Sequence, residues 1–167
     1  SDSYKTILKP SQEIIYKDKG SKFYGYAFPI LKDDQVKEII SELKERHHKA
    51  RHWCYAWKLG VEMHTMRYRV NDDGEPNNSA GQPIYGQILS KDLTNVLIVV
   101  VRYFGGTKLG ISGLINAYKA AAEIALSASK IIERTIENNY QLKFDYKDIN
   151  KVMRVIKEEN LNIIDQK

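Results

Sequence analysis

The sequence is poor in cysteine, in long apolar runs and in standard nucleotide signatures. Its single cysteine, Cys54, excludes an internal disulfide. That fits a reducing compartment rather than a secreted disulfide scaffold. The first residues, SDSYKTILKPSQEI, lack an apolar signal core. No segment approaches the ~20 apolar residues a membrane-spanning helix needs. A soluble, cytoplasmic protein with no membrane partner is expected. There is no Gly-x-Ser-x-Gly elbow, and no Ser–His–Asp or Cys–His constellation is legible in the spacing. Glycines at 105, 106 and 110 come close to a phosphate loop, but Gly110 is followed by Ile111 rather than Lys-Ser or Lys-Thr. Nor do they follow the dinucleotide pattern Gly-x-Gly-x-x-Gly. The calcium loop of helix–loop–helix proteins, with alternating oxygen ligands over about twelve residues, is also missing.

What is present is enough for a real core. The 167 residues are 43% hydrophobic, which excludes global disorder and suits one domain with a small appendage. A net charge of +5 and a pI near 9.1 favour an anionic partner such as RNA. Along the chain, Ile14–Tyr16 and Phe23–Phe28 read as a hairpin turning at Lys19-Gly20-Ser21. Val36, Ile39, Ile40 and Leu43 form the apolar stripe of a helix over 35–48, with Asp33 or Asp34 as its cap. Strands are expected at 53–60 and 66–70, a loop at 71–82, and a short helix from Pro83 carrying Ile84, Tyr85, Ile88 and Leu89. Val96 to Val101 is an unbroken apolar run, the pattern of a strand buried on both faces, and an Ala-rich helix follows over 109–129. The tail reads as one or two strands within 131–146, a helix near 148–159 and a strand at 161–164. The expected organisation is a domain over 1–134 and a smaller segment over 135–167.

Several clusters carry candidate chemistry. The strand at 96–103 delivers Arg102, Tyr103 and Phe104 to the turn Gly105-Gly106-Thr107-Lys108-Leu109-Gly110, at the mouth of a helix. Free backbone N–H groups, a helix dipole and two cations suit an anion there. The same glycines, with Gly113, Ala117, Ala121 and Ala125, can equally serve close helix–sheet packing. Asp72, Asp73 and Glu75 place three carboxylates in four residues. They could form an acidic cleft for acid–base or Mg²⁺ chemistry, make an ordinary turn, or neutralise Arg102 or Lys108 across a shared cleft. Arg51 and His52 close the basic run Arg46-His47-His48-Lys49-Ala50-Arg51-His52 and could contact phosphate. His48 and His52 have the i,i+4 spacing of a helical metal pair, but a strand begins at once after them. Tyrosines near these cations could stack RNA bases or simply rim a sheet.

Read together, Gly20-Ser21-Lys22-Phe23, Ala50-Arg51-His52-Trp53-Cys54-Tyr55-Ala56, Asn71-Asp72-Asp73-Gly74-Glu75-Pro76, Ala80-Gly81-Gln82-Pro83-Ile84 and Val101-Arg102-Tyr103-Phe104-Gly105-Gly106-Thr107-Lys108-Leu109-Gly110 resemble the IMPACT family, in particular its bacterial YigZ-like members. The resemblance covers residues 4 to about 130. It implies an α+β fold: a two-layer α/β domain similar to the second domain of ribosomal protein S-five, with helices on one face of a mostly β body. It also implies that 138–164 is only the first β-α-β of a ferredoxin-like second domain. The eukaryotic relatives look like translational regulators, and nucleic-acid binding is the usual proposal. The expectation is a non-enzymatic, translation-associated protein binding RNA or a ribosome-associated partner, with no cofactor, no metal and no catalytic residue. Its anion-binding residues would be Arg51, His52, Arg102, Tyr103, Gly105, Gly106, Lys108 and Gly110. Two alternatives stand beside it. One is an enzyme using Asp72, Asp73 and Glu75 with Arg102 and Lys108 on a phosphorylated or acylated small molecule. The other is a protein-interaction module.

Overall fold

In the computed structural model, residues 3–136, 148–158 and 162–163 are described. The chain divides into two compact units, Ser1–Ile136 and Glu137–Lys167. The first holds strands β1 (Ser3–Ile7), β2 (Ile14–Asp18), β3 (Ser21–Pro29), β4 (His52–Leu59), β5 (Arg67–Asn71), β6 (Val96–Tyr103) and β7 (Ile131–Thr135). Its helices are α1 (Asp34–Arg46), α2 (Gly81–Ser90) and α3 (Gly110–Ser127). In the second unit the described element is helix α4 (Ile149–Glu158). The strands expected on either side of α4 lie largely outside the described residues. Among the described residues no helix is long and apolar enough to cross a membrane.

Five strands form one sheet in the order β2-β3-β6-β4-β5, antiparallel at every pair. β1 and β7 pair separately, antiparallel, joining the two ends of the unit. β6 is the central strand, and Val96 to Val101 are each 0% exposed. Burying such side chains is worth roughly 1.5–3 kcal/mol apiece, so this strand is the largest single apolar contribution to the sheet. Its alternation divides two cores. Val96, Ile98 and Val100 pack with α2 and α3, while Leu97, Val99 and Val101 pack with Val36 and Leu43 of α1.

The expected two-layer α+β body is present: the sheet on one side, α2 and α3 on the other. The expectation of helices on one face holds for those two helices alone. α1 lies against the opposite face, because its stripe meets Tyr26, Trp57 and the odd-numbered residues of β6. The close approach of α3 rests on its small residues. Ala117, Ala121 and Ala125 are 0% exposed, and a Cβ added at Gly25 of β3 would stand 3.0 Å from the Ala121 carbonyl oxygen.

The sheet register aligns one row of side chains that matters for function. Phe23 on β3 and His52 on β4 both lie opposite Arg102 on β6. Arg102 continues the even-numbered alternation of Ile98 and Val100, so it faces α3 rather than solvent.

Candidate functional site

The row Phe23–Arg102–His52 is closed by Glu75, brought up from the 71–80 loop. Asp72 anchors that loop. Its Oδ1 accepts from the backbone N–H groups of Ala80 (3.1 Å) and Gly81 (2.9 Å), and its Oδ2 from that of Asn78 (2.9 Å). These donors include the first amides of α2, which have no intrahelical acceptor. Asp73 accepts the Trp53 backbone N–H at 2.7 Å on Oδ2, and its own carbonyl accepts from His52 Nδ1 at 2.7 Å. The Glu75 backbone N–H donates to the Asp72 carbonyl at 2.9 Å, which turns the chain back toward the sheet.

Glu75 is thereby 7% exposed and Arg102 6% exposed. One guanidinium nitrogen of Arg102 reaches both Glu75 oxygens, at 2.9 and 2.8 Å, and the other donates to Ser21 Oγ at 3.4 Å. The Arg102 Nε has no partner among the described residues. The guanidinium lies 5.6 Å from the Phe23 ring centroid and 5.8 Å from that of Phe104, within cation–π range. The Tyr118 hydroxyl of α3 donates to Glu75, and His52 Nε2 stands 3.5 Å from the same carboxylate. Burial raises the Tyr118 phenol far above its ordinary value, so it stays protonated and serves as a donor. The Cys54 thiol, 0% exposed and within 3.1 Å of the Asp72 carbonyl, is likewise pushed up by burial and kept as a neutral thiol.

The cluster settles where the candidate residues stand. Asp72, Asp73 and Glu75 each already accept hydrogen bonds, and Glu75 neutralises Arg102. Arg102 is therefore enclosed, and a direct phosphate contact from it would require Glu75 to leave. His52 is held between the Asp73 carbonyl and Glu75. Helix α1 ends at Arg46 and His52 opens β4, so His48 and His52 do not form a helical metal pair. Gly105 belongs to a packing contact with Gly20, whereas Gly106 and Gly110 have open space where a Cβ would point. Arg51, Phe104, Gly106, Lys108 and Gly110 are exposed together at the end of the sheet, and Tyr103 is half-buried behind them. Arg51 lies 5.9 Å from the Phe104 ring centroid.

A second polar network, on the α1 face, was not legible in the sequence. The Tyr26 hydroxyl is bonded to Glu13 and stands 2.5 Å from His47 Nε2, and His47 Nδ1 stands 2.6 Å from the Tyr103 hydroxyl. A carboxylate only accepts, so Tyr26 gives it its one proton. His47 Nε2–H then donates to the Tyr26 oxygen, and the unprotonated Nδ1 accepts from Tyr103. This chain needs a neutral imidazole. Burial lowers the His47 pKa below 6.5, aided by Arg46 and opposed by Glu13, with Tyr24, Tyr26 and Tyr103 packed around the ring. Because the folded pKa lies below the unfolded one, the unfolded chain takes up the proton first as pH falls. Stability is expected to be full above about pH 6.5 and to decline below it until the folded histidine also titrates. Urea unfolding between about pH 5 and 7.5 checks this. The decline should shrink in His47→Phe.

The family model of the Impact N-terminal domain matches residues 19–126. The chain is 31% identical over 156 residues to the IMPACT family member YvyE of Bacillus subtilis, covering 93% of this chain and 70% of that one. It is 33% identical over 113 residues to the IMPACT family member YigZ of Escherichia coli, covering 68% of this chain and 55% of the relative. A solved crystal structure of a hypothetical protein superposes with a TM-score of 0.82 at 26% identity, over 100% of this chain and 81% of that one. The segments that meet at Glu75 run from Ser21 to Gly105 and all fall inside the matched span, as does Tyr118. This chain belongs to the IMPACT family, among relatives that include its bacterial YigZ-like members.

Proposed function

We propose that this is a non-enzymatic, translation-associated protein that binds RNA through the basic rim at the Gly105–Gly106 end of the sheet. The observation that carries this reading is a set of exposed cations without acidic partners. Arg51 lies beside the exposed Phe104, Lys108 is exposed in the turn that follows it, and Lys17, Lys19 and Lys22 lie at the β2–β3 end, whose Gly20 packs on Gly105. Among the described residues none of these five forms a salt bridge. Cations left unpaired beside an exposed ring suit a phosphate backbone with an unstacked base. The exposed start of α3, which has no side-chain cap, adds backbone N–H groups to the same rim. Arg102, His52 and Glu75 act here by position: they hold the turn and the 71–80 loop in place while Arg51 and Lys108 contact the ligand.

The test is the salt dependence of binding to a single-stranded RNA. Each phosphate contact contributes roughly 0.7 to the magnitude of the log–log slope. The Arg51→Ala/Lys108→Ala variant is expected to reduce that magnitude by about 1.4 and to weaken binding at every ionic strength. Lys91→Ala, at the end of α2, should leave both unchanged. An unaltered slope in the double variant removes the rim from the interface. Absence of RNA binding by the wild-type protein overturns the function itself.

A further inference from the structure

The face of the sheet under α1 is not fully covered. Toward the β5 edge a cleft of about 640 Å³ opens between α1 and strands β4 and β5. That is the size class of small-ligand sites. Its floor is aromatic. Trp53, Tyr55 and Trp57 alternate along one face of β4, and Tyr55 and Trp57 line the cleft. Its walls are cationic. Lys37 and Lys44, seven residues apart on α1, stand on one rim, and Arg69, opposite Trp57 in the register, stands on the other.

These three cations have no carboxylate partner within salt-bridge distance among the described residues, although Asp33 and Asp34 line the same cleft. Asp33 pairs with Arg67 instead, at 3.8 Å. Lys44 already lies 5.6 Å from the Trp53 ring centroid. An aromatic floor between unpaired cations, with carboxylates at the far end, matches a flat base carrying a phosphate on each side. The base would lie on Tyr55, its phosphates would meet Lys37, Lys44 and Arg69, and Asp34 would accept from an exocyclic amine.

We infer that this cleft seats one nucleotide of a single-stranded RNA, as a second contact point beside the basic rim. The inference deepens the RNA-binding reading and rests on it. Its test separates the two. Both tryptophans of the chain lie on the β4 face that carries the cleft, so tryptophan fluorescence reports on this site directly. Titration with a short cytidine oligomer is expected to quench it in the wild-type protein. In Lys37→Ala/Lys44→Ala/Arg69→Ala, whose changes are all at exposed positions, the quenching should weaken about tenfold in affinity or more. Tyr55→Leu should weaken it while leaving the salt slope unchanged, since no phosphate contact is removed.

Unchanged quenching in the triple variant overturns the cleft. If the oligomer binds, and binding is lost in the rim variant but not in the cleft variants, the cleft inference fails and the rim reading stands. If the wild-type protein binds no RNA, both fail. Cytidine monophosphate and inorganic phosphate serve as competitors. Displacement by the nucleotide at a much lower concentration than by phosphate is the expected result, and equal displacement reduces the site to an anion contact and overturns the inference.

Discussion

Glu75→Ala is expected to destabilise the protein by about 3–5 kcal/mol, the cost of leaving a buried charge without its partner. Arg102 would keep its guanidinium in an enclosure of Phe23, Phe104 and Tyr118, with only Ser21 left as a hydrogen-bond acceptor at 3.4 Å. Its Nε already lacks a partner among the described residues. Tyr118 would lose its acceptor as well. Denaturant unfolding measures the loss. The informative comparison is Glu75→Leu/Arg102→Met, which removes both charges at once. A buried pair replaced by apolar groups of similar volume is often neutral in stability. The double variant should recover most of the single variant's loss, yet the loop held by Glu75 should be less firmly docked. If the double variant is as unstable as Glu75→Ala, the pair's charges are not what the fold depends on.

Gly105→Ala is the second large effect. The chain there needs no left-handed conformation; the constraint is contact. A Cβ at Gly105 would overlap the Gly20 carbonyl group and the Ser21 nitrogen. Those are backbone atoms of the hairpin turn, which cannot rotate away as a side chain would. Overpacking ordinarily costs about 1–3 kcal/mol, and a backbone clash this close belongs at or above the upper end. The Ser21 Oγ acceptor for the Gly105 N–H, at 3.2 Å, would be displaced with it. Gly106→Ala provides the contrast. Its φ is +92° with open space around it, so only backbone strain of about 1 kcal/mol is expected. Thermal unfolding should rank Gly105→Ala well below Gly106→Ala, and equal losses would exclude the Gly20 contact as the cause.

The contrast shows what the sequence disclosed and what it withheld. Strand β6 and helix α3 were legible because an unbroken apolar run and a 3.6-residue apolar period survive in any context. The β2–β3 hairpin was legible from Lys19-Gly20. The placement of α1 on the opposite face was not, because an amphipathic stripe states that a face is buried and not which face of a sheet buries it. Among the site residues, the option that the acids neutralise Arg102 is the one the geometry realises for Glu75. Choosing it needed the cross-strand register of Phe23, Arg102 and His52, which no local pattern specifies. Tyr118 could have been found, since it lies on the buried stripe with Leu114, Ala121 and Ala125 and is the polar exception there. Glu13, Tyr26 and His47 come from three distant segments of unremarkable composition, and only the folded chain joins them.

The central strand of the sheet is also the last of its five strands to be synthesised. β3 and β4 are not hydrogen-bonded to each other; each pairs with β6, which follows them by dozens of residues. Until residue 103 has left the ribosome, the β2–β3 and β4–β5 hairpins remain separate ribbons with apolar edges uncovered. Such long-range pairing slows folding and exposes strands to wrong partners in the interval. When β6 arrives it completes both halves in one step, and Arg102 at its end enters the enclosure where Glu75 is its counter-charge. Assembly of the sheet and pairing of Arg102 with Glu75 are therefore expected to be coupled, and pulse-labelled hydrogen exchange should show the amides of β3, β4 and β6 gaining protection together.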